Sequence, residues 1–315
     1  MKTNIWQKIS HDNVLNVVED TIGQKLTNLF LPRNSYINRV FELELADSKK
    51  RIVVKFYRPA RWTRSMIQTE HDLLSKLAIE ELAVIQPLNF KGQTLFEFEG
   101  IFFAVFPKKG GRIMDELDKD QWQQIGRLIG RTHAISSKLE HPDRIVWRPQ
   151  KATSKHLEVL GDLKVIPQDY QEVFFNTAKS FISNYDSLFN KKEFILLHGD
   201  CHPGNFIYRP GEGIYIIDFD DMCIGPVVQD LWMLLPDTLD KCENEIAWFI
   251  DGYETFCDFS RQSLKLIPAL RVMRIIHFAS WCAIQSFEPG FKHHFSEWGT
   301  VKYWNETLKM IQKLV

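Results

Sequence analysis

The stretch from Leu196 to Asp221 constrains this chain more than any other. It reads Leu-Leu-His-Gly-Asp-Cys-His-Pro-Gly-Asn-Phe-Ile-Tyr over residues 196–208, then Ile-Tyr-Ile-Ile-Asp-Phe-Asp-Asp over 214–221. Two short apolar strands flank a polar loop, and the second strand delivers a carboxylate, Asp218, at its end. Gly199, Pro203 and Gly204 argue against a helix through the loop. His198 and His202 therefore lack the helical frame that makes an i, i+4 pair a zinc site, and no third ligand is evident. His198 is read instead as packing under the loop and fixing its backbone.

Asp and Asn in a Gly/Pro loop are most often turn formers. Turn chemistry does not, however, require flanking strands together with a carboxylate in the position of Asp218. The His-x-Asp-x4-Asn spacing of His198, Asp200 and Asn205, followed by Asp218-Phe219, matches a phosphoryl-transfer loop and its metal-binding turn. Mg²⁺ takes hard oxygen ligands, which Asn205 and Asp218 supply. Asp200 stands where it orients an attacking hydroxyl and accepts its proton.

A second signal lies upstream. Lys55 sits in the β-rich run Val53-Val54-Lys55-Phe56, a place suited to anchoring nucleotide phosphates. Glu70, in a helical segment, is the expected partner of its ammonium, with Asp72 as a rival. Residues 33–39 hold a glycine-free turn where a phosphate-covering segment should fall. Ser35 and backbone N–H groups there can meet a phosphate, and a plain polar turn is an equal reading. The seven basic residues between Lys49 and Arg64, with no acidic residue among them, are read as a solvated edge. Asp230 either caps a helix or braces the polar loop from behind.

The fold class expected is α+β in two lobes. Residues 36–45 and 51–57 form an antiparallel hairpin turned at Ala46-Asp47-Ser48, a helix covers 63–77, and strands follow at 84–90, 94–98 and 101–106. Beyond a flexible connection at 107–111, helices dominate, at 121–138, 170–189, 230–235, 243–256, 263–287 and 303–314. The expected domains are residues 1–107 and 108–315. A net charge of −1 offers no global field for nucleic acid or an anionic membrane. Residues 1–20 lack a secretory apolar core, and the apolar stretch 275–284 is too short to span a bilayer. Five cysteines, odd in number and without metal-like spacing, are expected as reduced thiols in a cytoplasmic, monomeric protein.

Taken together, these residues resemble the aminoglycoside phosphotransferase and choline kinase group, within the protein kinase-like superfamily. Inside that group the match is to the bacterial stress response kinase A family of Ser/Thr protein kinases. Residues 34–40, 53–59, 103–107, 197–202 and 225–235 carry it. The resemblance implies ATP in an interlobe cleft, with adenine meeting the backbone near Val105 to Pro107 and Ser35 and Lys55 contacting the nucleotide. It further implies Asp200 as proton acceptor, Asn205 and Asp218 as Mg²⁺ ligands, and a protein Ser/Thr hydroxyl, the kinase's own included, as acceptor. Three departures stand out: Gly199 replaces the arginine of H-R-D, Asp220 replaces the glycine of D-F-G, and no room remains for a long activation loop. The alternatives are a small-molecule kinase of aminoglycoside, choline or homoserine type and a nucleotide-binding pseudokinase. Trp232, Trp248, Trp281, Trp298 and Trp304 supply aromatic surface for a cationic cage, whereas the basic helix at Arg271 and Arg274 disfavours a cationic substrate.

Overall fold

The computed structural model describes residues 6–33, 35–114, 116–140, 143–288 and 290–314. Residues 1–5 of the N-terminal segment and Asn34 of the glycine-free turn lie outside the described residues. The chain opens with α1 (His11–Ile22), capped by the Ser10 side chain and ended by Gly23 in the left-handed region. Five strands follow: β1 (Leu26–Arg33), β2 (Arg39–Leu45), β3 (Arg51–Phe56), β4 (Phe96–Phe98) and β5 (Ile101–Pro107). They form one antiparallel sheet in the order β1-β2-β3-β5-β4. Helix α2 (Arg64–Ile79) lies between β3 and β4 in sequence and is capped by Thr63.

The sheet's two faces serve different ends. Val54, Phe56, Phe103 and Val105 pack with Val14 and Val18 of α1. Side chains alternate along a strand, so Lys55, between Val54 and Phe56, is turned to the opposite face, toward α2.

The expected hairpin, its turn and the helix are present. Two elements went unread: α1 and the edge strand β1, whose Pro32 is tolerated because an edge strand leaves one row of N–H groups unpaired. The expected strand at 84–90 does not form. Val84 and Phe90 make only isolated bridges, and Pro87 between them has no N–H to continue a ladder.

From α3 (Lys119–Ser136) the chain is mainly helical, with β6 (Arg112–Ile113) just before it and β7 (Ile145–Val146) just after. The remaining helices are α4 (Ser154–Leu163), α5 (Gln168–Tyr185), α6 (Gln229–Trp232), α7 (Glu243–Tyr253), α8 (Ile267–Gln285), α9 (Phe291–His294) and α10 (Val301–Leu314). Strands β8 (Phe194–Leu197), β9 (Phe206–Arg209), β10 (Gly213–Ile216) and β11 (Cys223–Pro226) make two small sheets, β10-β9-β6 and β7-β11-β8. The loops between these strands carry the polar motif. Helices α3 and α7 approach closely at glycines: a Cβ on Gly126 would sit 2.1 Å from the Phe249 carbonyl oxygen. The helical segment Arg261–Gln285, of mean hydropathy 1.3, is long and apolar enough to cross a membrane, contrary to the shorter stretch expected. Of its most apolar window, 56% is buried within the fold, where Leu270, Met273 and Ile276 join the main core.

Candidate active site

The polar loop is built from behind. Asp230, at the start of α6 and fully buried, accepts hydrogen bonds from the His198 and Gly199 backbone N–H groups at 2.9 and 2.8 Å. His133 of α3 approaches its other side at 3.0 Å. Burial alone would raise the Asp230 pKa, but His133 and the loop amides hold it below the ordinary carboxylate value. Asp230 therefore braces the loop and caps nothing. His198 also acts as expected. Its Nε2 reaches the Ile217 carbonyl at 2.9 Å while its Nδ1 faces the Asp200 N–H at 3.3 Å, tying the loop to the strand end that carries Asp218.

Gly199 has φ +84°, and a Cβ there would lie 2.4 Å from the Asp221 carbonyl oxygen. The arginine expected at this place in H-R-D is thus excluded by the backbone itself. Asn205 donates to the Asp200 carbonyl at 2.9 Å, and its own carbonyl accepts from Ile217 N–H at 3.0 Å. Asp218 is in the left-handed region, φ +63°. Its side chain is 56% exposed, which points its carboxylate into a cleft of about 610 Å³.

Ser35, Lys55, Glu70, Asp200 and Asp218 all line this cleft. Asn205 is buried one layer behind it. At the opposite end the walls turn apolar, through Val40, Val53, Leu74, Ile85, Phe106 and Ile216. Val105 itself points into the sheet core, so the strip facing the cleft runs from Phe106 to Lys109. Ser35 Oγ accepts from Asn38 N–H at 3.3 Å, closing a tight turn without glycine.

The Lys55–Glu70 pair is looser than expected, at 4.0 Å. The ammonium instead makes its shortest contact with Asp220 and lies 3.4 Å from Asp218. Asp220 is buried, accepts from Asn38 Nδ2 at 2.7 Å and has Arg61 at 3.7 Å. Burial by itself would lower the Lys55 pKa, but Asp220, Asp218 and Glu70 together hold it well above the ordinary value. Glu70 shows the reverse balance: burial outweighs Lys55 and pushes its carboxyl up to about 8. Its Oε2 has no hydrogen-bond partner among the described residues. The rival Asp72 is exposed and bonded to Gln68.

Nor is the basic run between Lys49 and Arg64 a solvated edge. Arg51 pairs with Glu42, Arg58 with Glu288, Arg61 with Asp221 and Arg64 with Glu97, at 2.5–2.9 Å. Arg58 and Arg61 thereby tie the sheet-rich part to the helical part. The partnership of Asp220 with Lys55 was also missed. Its signal was the doubled carboxylate Asp220-Asp221 in place of a glycine. Of the five tryptophans, only Trp281 lines the cleft, while Trp232, Trp248, Trp298 and Trp304 pack in the helical core. All five cysteines are free thiols, as expected. No group of three or more His, Cys, Asp or Glu among the described residues is placed to hold a metal, so the zinc reading of His198 and His202 finds no support.

The family model described as phosphotransferase enzyme family matches residues 31–267. This chain belongs to that family. As a phosphotransferase it is 33% identical over 304 residues to stress response kinase A of Escherichia coli strain K12, covering 95% of this chain and 90% of that one. It is 34% identical over 278 residues to the serine/threonine protein kinase RdoA of Salmonella typhimurium strain LT2, covering 87% and 83%. Its fold is that of the amicoumacin kinase hAmiN, solved with AMP-PNP, Ca²⁺ and Ami, at TM-score 0.79 and 18% identity over 100% of this chain and 96% of that one. The kinase-like α+β fold, the enzyme class and the stress response kinase A resemblance expected from the motifs are all borne out.

Proposed function

We propose that this phosphotransferase moves the γ-phosphate of ATP to a serine or threonine hydroxyl of a protein, its own chain included. The observation that carries this reading is the convergence of Lys55, Asp218 and Asp200 on one cleft from segments more than a hundred residues apart in sequence. Residues 1–107 act as the nucleotide-binding lobe and 108–315 as the catalytic and acceptor lobe. The apolar end takes adenine, with backbone from Phe106 to Lys109 beside it, and Ser35 with Lys55 meets the phosphates. The exposed Asp218 carboxylate and the Asn205 side-chain oxygen, whose amide nitrogen is already committed to Asp200, form the hard-oxygen donor set that suits Mg²⁺. Bound there, Mg²⁺ would neutralise charge that develops on the phosphates. Asp200 orients the acceptor hydroxyl and takes its proton, while the Asp230 brace holds the loop in place. Free thiols, four of them buried, fit a cytoplasmic setting.

The test is incubation of purified protein with labelled ATP and Mg²⁺, alone, with a casein-like protein and with a panel of small alcohols. Label on Ser or Thr supports the reading. Asp200→Ala should cut transfer by about 10²–10⁴-fold, and Asp218→Ala should abolish it, both with the fold retained. Full activity in either variant overturns the assignment. A second reading, a small-molecule kinase, is favoured by the full-length likeness to an amicoumacin kinase; label found only on a small alcohol would select it.

A further inference from the structure

Arg274 of α8 reaches into the cleft and places Nη2 2.9 Å from Asp200 Oδ1. The approach lacks hydrogen-bond geometry, and Asp200 Oδ1 is buried without a hydrogen-bond donor. This is an electrostatic cover, not a locked pair. A guanidinium fixed over the proton acceptor would obstruct the hydroxyl that must reach it. The other cations at this end are already committed, Lys55 to Asp220 and Arg61 to Asp221. Arg274 has no other carboxylate within 4.0 Å among the described residues, and its side chain is 31% exposed. With five donors on a planar fork, it has edges free for a second anion.

We propose that Arg274 binds an anionic group carried beside the acceptor hydroxyl, so that the preferred acceptor is a Ser or Thr flanked by Asp or Glu. This rests on the kinase reading above and names the substrate class for that site. In the transfer step the acceptor oxygen forms its bond to the γ-phosphorus, the bond from that phosphorus to the β-bridging oxygen breaks, ADP leaves, and the hydroxyl proton passes to Asp200. Once protonated, Asp200 no longer balances Arg274, and the acceptor's carboxylate takes over that role. A cationic acceptor would instead bring a like charge against the guanidinium. Helical spacing places Phe278 and Trp281 on the same cleft-facing side of α8 as Arg274. Beyond the cleft the exposed row continues through Ile284 and Phe287, a length of apolar surface that suits a polypeptide better than a small hydroxy acid.

The experiment measures kcat and KM for serine peptides whose flanking residues are Asp/Glu, their amide isosteres Asn/Gln, or Lys. A parallel arm compares glycerate with glycerol. Wild-type kcat/KM should favour the acidic peptide over its amide isostere by tenfold or more. Arg274→Ala should collapse that ratio to near one through KM, Arg274→Lys should keep part of it, and Arg274→Glu should turn the preference toward Lys peptides. Thermal stabilisation by Mg-ATP verifies that each variant is folded. A ratio unchanged in Arg274→Ala overturns the proposal. So does an equal loss of kcat on every peptide, which would assign Arg274 to the transferring phosphate. Transfer to glycerate but to no peptide overturns the protein-acceptor reading while upholding the role of Arg274; peptide transfer indifferent to charge does the opposite.

Discussion

Asp220→Asn tests the buried charge cluster directly. The substitution removes the charge nearest Lys55 while keeping an oxygen to accept the Asn38 hydrogen bond. Both side chains are nearly inaccessible, Lys55 at 13% and Asp220 at 4% exposure. Breaking a buried pair from one side costs about 3–5 kcal/mol, because the remaining charge is left uncompensated. Here the loss is cushioned. Asp218 remains at 3.4 Å and Glu70 at 4.0 Å, and the charge on Asp220 is one of the causes that keep Glu70 protonated. With Asp220 neutral, Glu70 can ionise and take Lys55, which brings the expected cost to about 2–3 kcal/mol.

The diagnostic outcome is a change of sign at Glu70. In the wild-type protein at pH 7, Glu70 is neutral and buried, and keeping it so over the interval from pH 4.5 to 7 costs up to about 3 kcal/mol. Glu70→Gln alone should therefore raise stability in urea unfolding. In the Asp220→Asn background the same change should lower it by about 1 kcal/mol or more, because Glu70 has become the lysine's partner. Equal effects of Glu70→Gln in both backgrounds would refute the account of Lys55 as a charge shared between a primary and a reserve carboxylate.

Two further outcomes follow from the same structure. The folded Glu70 carboxyl holds its proton up to about pH 8, above its ordinary value of 4.5, so the native state binds the extra proton in that window. Stability in the nucleotide-free enzyme should then fall as pH rises from 4.5 to 8, by up to about 1.4 kcal/mol per unit, and Glu70→Gln should flatten this part of the profile in urea titrations. Gly126→Ala should destabilise by about 1–3 kcal/mol or more, since its Cβ would stand 2.1 Å from a backbone oxygen of α7 that cannot rotate away; an unchanged urea midpoint would show that α3 and α7 separate freely.

What the sequence disclosed depended on how far apart the interacting groups lie along the chain. Asp200, Asn205 and Asp218 were legible because the loop and the strand ends that orient them fall within one short stretch. Lys55 was legible from its strand. Its principal partner was not: Asp220 lies 165 residues away, and nothing local separates a carboxylate that meets a lysine from one that faces water. The basic run misled for the same reason, since every compensating carboxylate comes from elsewhere in the fold. Arg274 was noted only as a charge on a helix, because its distance to Asp200 exists only once α8 has packed. The strand expected at 84–90 failed because an apolar β-rich run says nothing of whether a neighbouring edge is free to receive it.

The absence of a long activation segment takes on physical meaning in this arrangement. Only four residues separate Asp218 from β11, and β11 is hydrogen-bonded to β8 on one side and β7 on the other. The backbone of Asp221 is packed so close to Gly199 that no side chain fits between them. A segment held this way cannot order and disorder as a phosphorylation-controlled loop does. In protein kinases, activity requires the strand lysine to be paired with the helix glutamate and the metal-binding Asp to be in place. Here the first condition is unmet, because Asp220 of the metal-binding turn holds the ammonium and Glu70 is protonated. Incoming phosphates compete with Asp220 for that same ammonium. The event that redistributes Lys55 is then the arrival of nucleotide itself, and this enzyme needs no separate loop to announce it.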